Sequence, residues 1–321
     1  MPKNSGFPMK NSATAPVNRV LFILLFISTL FCEERCSSYP YLSGDTWRFF
    51  CDWVLSEERG FDPKEVKKGD TIFVEYGRLK RFTRKYLPKI KAKFILITPN
   101  AETGSDAPLP GPFIQLAKSR KVAAWFLQNI DCAPSKKLIP LPIGLANQIW
   151  DHGDIQILSE ALKSPSSHDE IFAYVNFAIC TNEKKRKPCF DYFMKQPWST
   201  LAPNRTYDQY LKDLSKSRFV ISPPGNGLDC HRTWEALLMG AFPIVLTSTL
   251  DPLFEGLPVV VVQSWDEVTK EFLNGKAEEL KDLKWEREKL FADYWFERVR
   301  QIQHKVKSEW FSFFIGPNKQ E

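Results

Sequence analysis

Short apolar runs alternate with polar or amphipathic segments through most of this chain. Residues 71–76, 94–98, 122–126 and 138–143 are each of a length suited to a strand buried on both faces. A basic amphipathic stretch at 79–90 predicts a helix between the first two. Residues 45–56 place Trp47, Phe50, Cys51 and Val54 at helical spacing. After a polar stretch at 164–169, which reads as an interdomain linker, the alternation resumes with strands over 171–178, 219–221, 242–246 and 259–262. Helices are predicted at 207–214 and 265–273. A long helical segment over 280–310 carries Trp285, Leu290, Trp295, Val299 and Ile302 as its apolar stripe, and is expected to brace the two halves. Strands alternating with helices imply parallel sheets. The expected fold is α/β, with domains at 37–165 and 166–321.

One stretch, 218–248, is denser in chemistry than the rest. A strand breaks at Pro223-Pro224, Gly225-Asn226-Gly227 follows, and a helix is predicted from about Asp229 to Met239, stopped by Gly240. Small residues let backbone approach an anion, and a helix start offers free N–H groups with a partial positive charge. A phosphate-bearing ligand fits such a loop. Arg232 could neutralise a diphosphate, and Glu235 could accept both hydroxyls of a ribose diol. The ordinary alternative is that Arg232 is a solvated charge and Glu235 a dipole complement. No Gly-Lys-Ser/Thr follows, which excludes a P-loop. Cys230 stands where a dinucleotide fingerprint needs its third glycine, although Asp251 lies near that motif's acidic position.

The ordered string PPGNGLDCHRTWEALLMGAFPIV, continued by DPLFEGLPVVVVQSWDEVT, resembles the C-terminal region of exostosin-like glycosyltransferases. Looser similarity runs from about Thr71 to Phe272 and includes LPIGLANQIWDHGD. The resemblance implies a GT-B fold, two Rossmann-like domains facing a cleft, and sugar transfer from a nucleotide-diphosphate donor, a UDP-sugar, to a glycan or other hydroxyl acceptor. On that basis Pro224, Gly225, Asn226, Gly227, Arg232 and Glu235 are donor-site candidates. Arg186, in the basic turn after the 171–178 strand, joins them, with Lys184 as its reserve. A general base on the acceptor side could be Asp106, in the long polar loop 99–111, or His152. No Asp-x-Asp motif is present, so the expectation is a reaction without a metal or other cofactor.

Composition narrows the alternatives. A net charge of +6 and 26% charged residues suit a globular protein, with no arrangement typical of nucleic-acid binding. Seven cysteines show no zinc spacing; Cys180 and Cys189 are close enough in sequence to pair. Residues 1–36 form a basic leader with an apolar run at 20–31, the pattern of a secretory signal or a membrane anchor, so the expected location is outside the cytosol or at a membrane. Two rival functions stay open: a noncatalytic glycan-binding protein on the same fold, and a nucleotide-dependent oxidoreductase.

Overall fold

The computed structural model describes residues 35–101, 111–132, 135–164 and 166–308. The apolar leader and Asp106 lie outside these residues. No helix among the described residues is long and apolar enough to cross a membrane.

The first half opens with α1 (Gly44–Phe50), capped by the Ser43 hydroxyl on the Thr46 N–H, and runs into β1 (Trp53–Leu55). The helical spacing expected over 45–56 therefore ends at Phe50. Trp53, Val54 and Leu55 instead form an edge strand, with the Trp53 indole donating to Asp70. Next come β2 (Thr71–Val74), the short helix α2 (Leu79–Arg81) with a wider turn over Phe82–Tyr86, and β3 (Phe94–Thr98). They are followed by α3 (Gly111–Lys118), β4 (Val122–Gln128) and β5 (Leu138–Leu141). All pairings are parallel, in the order β1-β2-β3-β4-β5. The expected strands stand: β2 and β5 end two residues early where the chain turns into loops, β3 is unchanged, and β4 runs two residues further.

Helix α4 (Ile155–Lys163), capped by the Asp154 carboxylate, leads to the second half. There β6 (Ile171–Val175), α5 (Glu183–Phe193), β7 (Ser199–Leu201), α6 (Tyr207–Lys216), β8 (Ser217–Ile221), α7 (His231–Leu238) and β9 (Phe242–Leu246) follow in turn. Then come α8 (Asp251–Phe254), β10 (Val260–Val262) and α9 (Lys270–Lys281). This sheet is also wholly parallel, in the order β10-β9-β8-β6-β7. The helix expected at 265–273 is displaced: Trp265–Glu267 is one tight turn, and Thr269 caps α9 after it.

The C-terminal helix α10 (Ala292–Ser308) is shorter than the 280–310 stripe suggests. Residues 283–286 are irregular, so Trp285 lies outside it. The helix returns to the N-terminal half. Phe296 stacks on Phe50 at 4.0 Å and meets Trp47 edge-on at 5.3 Å, while Gln303 donates to the Gly69 carbonyl. Trp47, Trp125 and Phe126 are fully buried in the same core. Each ring is large enough to contribute a few kcal/mol when taken out of water, and favourable ring–ring geometry adds about 0.5–1.5 kcal/mol per pair.

Candidate active site

The second sheet begins in its middle. From β6 the chain moves to β7 on one side; from β8 it moves to β9 on the other. In an open parallel sheet such a reversal leaves a crevice at the strand exits, where connections diverge. The loop after β6 and the loop after β8 meet there.

The β6 exit supplies Asn176, Phe177 and, at the start of α5, Asn182 and Arg186. Asn182 caps α5 on the Lys185 N–H and donates from its amide to the Gly225 carbonyl. Arg186 is buried, with Nε on the Pro224 carbonyl at 2.9 Å and Nη1 on the Ala178 carbonyl at 2.8 Å. It therefore splints the two loops together. Gly225 lies beneath it, and a Cβ there would sit 2.7 Å from Nη2 of Arg186, so any side chain at 225 displaces the guanidinium. Gly227 has a similar constraint, because a Cβ would collide with the Asn129 carboxamide. Asn226 alone in this loop is exposed.

Arg232 comes from the first turn of α7. Its Nε donates to the Asn176 carbonyl at 2.8 Å, and its Nη1 is buried with no partner among the described residues. Both guanidinium carbons lie near one aromatic ring, 5.7 Å (Arg186) and 5.6 Å (Arg232) from the Phe177 centroid. Neither arginine forms a salt bridge among the described residues. Burial, then the neighbouring Arg232 charge, lowers the Arg186 pKa. Two cations held this close with no salt bridge among the described residues, the buried Glu235 being the acid that feels the Arg232 charge, make a site of excess positive charge. An unpaired charged donor inside a protein costs about 1–3 kcal/mol or more, a debt that an incoming anion removes.

Glu235 faces the other way. It is 4% exposed and accepts the Tyr210 hydroxyl at 2.9 Å, with Tyr207 also bonded to it. Burial raises its pKa to about 7, against the opposing pull of both phenols and Arg232. In this arrangement a ribose diol could reach Glu235 only after the Tyr210 hydroxyl moves. Helix α7 starts at His231 rather than Asp229, because the Asp229 side chain is spent elsewhere. Its carboxylate accepts from the Ile143 N–H at 2.8 Å, the Cys230 N–H and the Trp234 indole. In return, the Asp229 N–H donates to Asn129 Oδ1 at 2.8 Å. The loop after β8 is thus fastened to the exits of β4 and β5.

His152 lies on an exposed turn after β5, on the far side of that seam. Its ring centroid is 6.2 Å from that of His231 and 6.4 Å from the exposed Trp150 ring. Desolvation lowers the His152 pKa, with Asp151 pulling the other way. His231 donates from Nδ1 to the Gly144 carbonyl at 2.8 Å, since a carbonyl can only accept, and burial lowers its pKa to about 4. Cys180 is exposed, Cys189 is buried and both are free thiols, so the pairing that their spacing allowed does not form. Sequence spacing did not reveal Phe177, Tyr207, Tyr210, Asp229 or Trp150. For the aromatic ones the advance signal was composition alone, a 14% share of Phe, Trp and Tyr.

Residues 162–311 match the family described as the RXYLT1 C-terminal domain. That match covers a little under half of the chain and agrees with the resemblance of its C-terminal region to exostosin-like glycosyltransferases. The two Rossmann-like sheets agree with the GT-B layout expected of it. No curated protein has a matching sequence. Among solved structures, the chain is similar to UDP-GlcNAc 2-epimerase from Methanocaldococcus jannaschii, with 11% identity over 73% of this chain and 77% of that one, TM-score 0.37. It is also similar to a DNA-modifying β-glucosyltransferase, with 12% identity over 78% and 74%, TM-score 0.29. The pneumococcal O-GlcNAc transferase GtfA shows 12% identity over 78% of this chain and 58% of its own, TM-score 0.29.

Proposed function

We propose that the protein transfers a sugar from a nucleotide-diphosphate donor, a UDP-sugar, to a hydroxyl of a glycan acceptor. The observation that carries this reading is the Arg186–Arg232 pair at the topological reversal, with Arg232 Nη1 buried and unpaired. As the glycosidic C–O bond breaks, negative charge grows on the leaving diphosphate. Arg232 and the first N–H groups of α7 are aimed where that charge develops. Arg186 holds the Pro224–Gly227 loop in shape from below. On the other side His152, neutral at pH 7, takes the proton of the acceptor hydroxyl as its oxygen attacks the anomeric carbon. The exposed Trp150 ring beside it offers a face for the acceptor sugar. The reaction needs no metal in this reading, because guanidinium and backbone donors supply the charge.

Isothermal titration of UDP into the wild type and Arg232→Gln tests it. Removing one preorganised charged donor should weaken UDP by about 1.5–3 kcal/mol, roughly ten- to a hundredfold. A UDP-sugar hydrolysis assay on the same two proteins should show a larger loss. Unchanged UDP affinity in Arg232→Gln would sink the site assignment. UDP binding without turnover of any UDP-sugar would favour a glycan-binding protein instead.

A further inference from the structure

Between Tyr76 and Ala101 the chain has eight Lys or Arg and no Asp or Glu, an excess larger than the +6 of the entire molecule. The fold gathers this charge on one face. Leu79, Phe82, Thr83 and Leu87 point into the N-terminal core, which turns Lys80, Arg81, Arg84 and Lys85 outward on a single helical surface. Lys89 and Lys91 continue it and are exposed too. No carboxylate among the described residues pairs with any of these six. Helix α3 lies alongside and adds Ile114, an aliphatic side chain 46% exposed.

The position of this face matters as much as its charge. It runs along the connection from the exit of β2 back to the entry of β3, whereas the arginine pair and His152 belong to other connections, those after β6, β8 and β5. A ligand on the basic face therefore leaves the crevice open. The surface is a convex helix, with no cavity and no unpaired buried donor, so it lacks the features of a pocket for one anion. Its cations are mostly lysines, compact point charges that suit a diffuse negative surface better than bidentate recognition of a single phosphate. It also lacks exposed aromatic rings on which bases could stack.

We infer that this face docks the protein on an anionic lipid bilayer, the cations on the headgroups and Ile114 at the acyl boundary. Clusters of four to eight Lys or Arg on a helix surface bind acidic headgroups additively, and salt screens the attraction. The crevice then opens away from the bilayer edge, towards acceptors beside the membrane. This inference does not depend on the identity of the donor.

The test is co-sedimentation of the full chain with phosphatidylcholine vesicles, with and without phosphatidylserine. The wild type should bind the anionic vesicles at least about tenfold better, and roughly 0.5 M salt should abolish the difference. Replacing Lys80, Arg81, Arg84 and Lys85 together by Glu, and separately by Ala, should remove the preference. UDP affinity and thermal unfolding should stay unchanged in both variants. Because every protein compared carries the same N-terminal segment, its own affinity for lipid cancels. Equal binding to both vesicle types, or a preference that survives the alanine variant, overturns the inference. So does selective binding to single-stranded RNA that depends on these four residues.

Discussion

The N-terminal sheet adds its strands in chain order, β1 through β5, whereas the C-terminal sheet begins at β6 and grows to both sides. Both are five-stranded, parallel and buried, so composition does not separate them. In the first, every connection steps the same way and neighbouring exits are alike. In the second, the reversal between β6 and β8 brings together two loops from opposite directions. Arg186 and Arg232, far apart in sequence, become neighbours over Phe177 only there. The N-terminal half holds the larger aromatic core and the excess of positive charge, yet it contributes to the crevice only through turns such as 147–153. Connectivity, more than composition, decides where the chemistry lies.

Three experiments press on that contrast, beginning with the largest effect. Glu235 belongs to the crevice side and is strained electrostatically. Below pH 4.5 it is protonated both folded and unfolded; above about 7 it is ionised in both, and the folded state bears the cost of burying the charge. The wild type should therefore lose about 3 kcal/mol relative to Glu235→Gln between pH 4.5 and 7. His231 acts in the opposite sense: its pKa is lowered, so stability is lost as pH falls from about 6.5 towards 4. Comparing the two proteins by urea unfolding at each pH cancels that contribution. A flat difference would mean that Glu235 is not desolvated, and the sheets would differ less than their wiring suggests.

Asp229→Asn attacks the seam joining the halves. An amide there can no longer accept from all of Ile143, Cys230 and Trp234, and should cost about 1.5–3 kcal/mol in urea unfolding. UDP affinity should fall as well, because the donor loop loses its anchor to β5. Loss of stability with full UDP affinity would show that the C-terminal crevice is complete without its partner sheet.

Trp150→Ala should have the smallest effect, raising the acceptor KM about tenfold, near 1.4 kcal/mol, with UDP binding unchanged. Steady-state kinetics with the acceptor varied will show it. A drop in UDP affinity would place Trp150 on the donor side and blur the division of labour.

Much of the layout was legible because buried strands announce themselves: residues 94–98 and 242–246 are continuous apolar runs, and the structure uses both without change. β1 and β7 escaped because three residues give no period, and Trp53-Val54-Leu55 continues a helical spacing that physically ends at the Cys51 cap. Helix α5 hid behind Glu183-Lys184-Lys185-Arg186-Lys187-Pro188, where charge and an internal proline suggest a turn; the Asn182 cap supplies what the composition does not. The glycine loop and Arg232 could be singled out from local spacing. The inward turn of Glu235 could not, since Tyr207 and Tyr210 reach it from a different helix. Nor could the pinning of Arg186, which rests on carbonyls of two loops that meet only once both sheets have formed.

That pinning limits how the sequence can change over time. The volume a side chain at 225 would need is already filled by the end of the residue at 186. Alanine at 225 must push the guanidinium off its two carbonyls or follow a shortening at 186, and a chain that has shortened position 186 no longer holds the loop in this way. Either step alone is a loss. The two positions, in separate helix–loop units, should persist or disappear as a pair, and a lineage that abandons donor turnover should be recognisable by losing both.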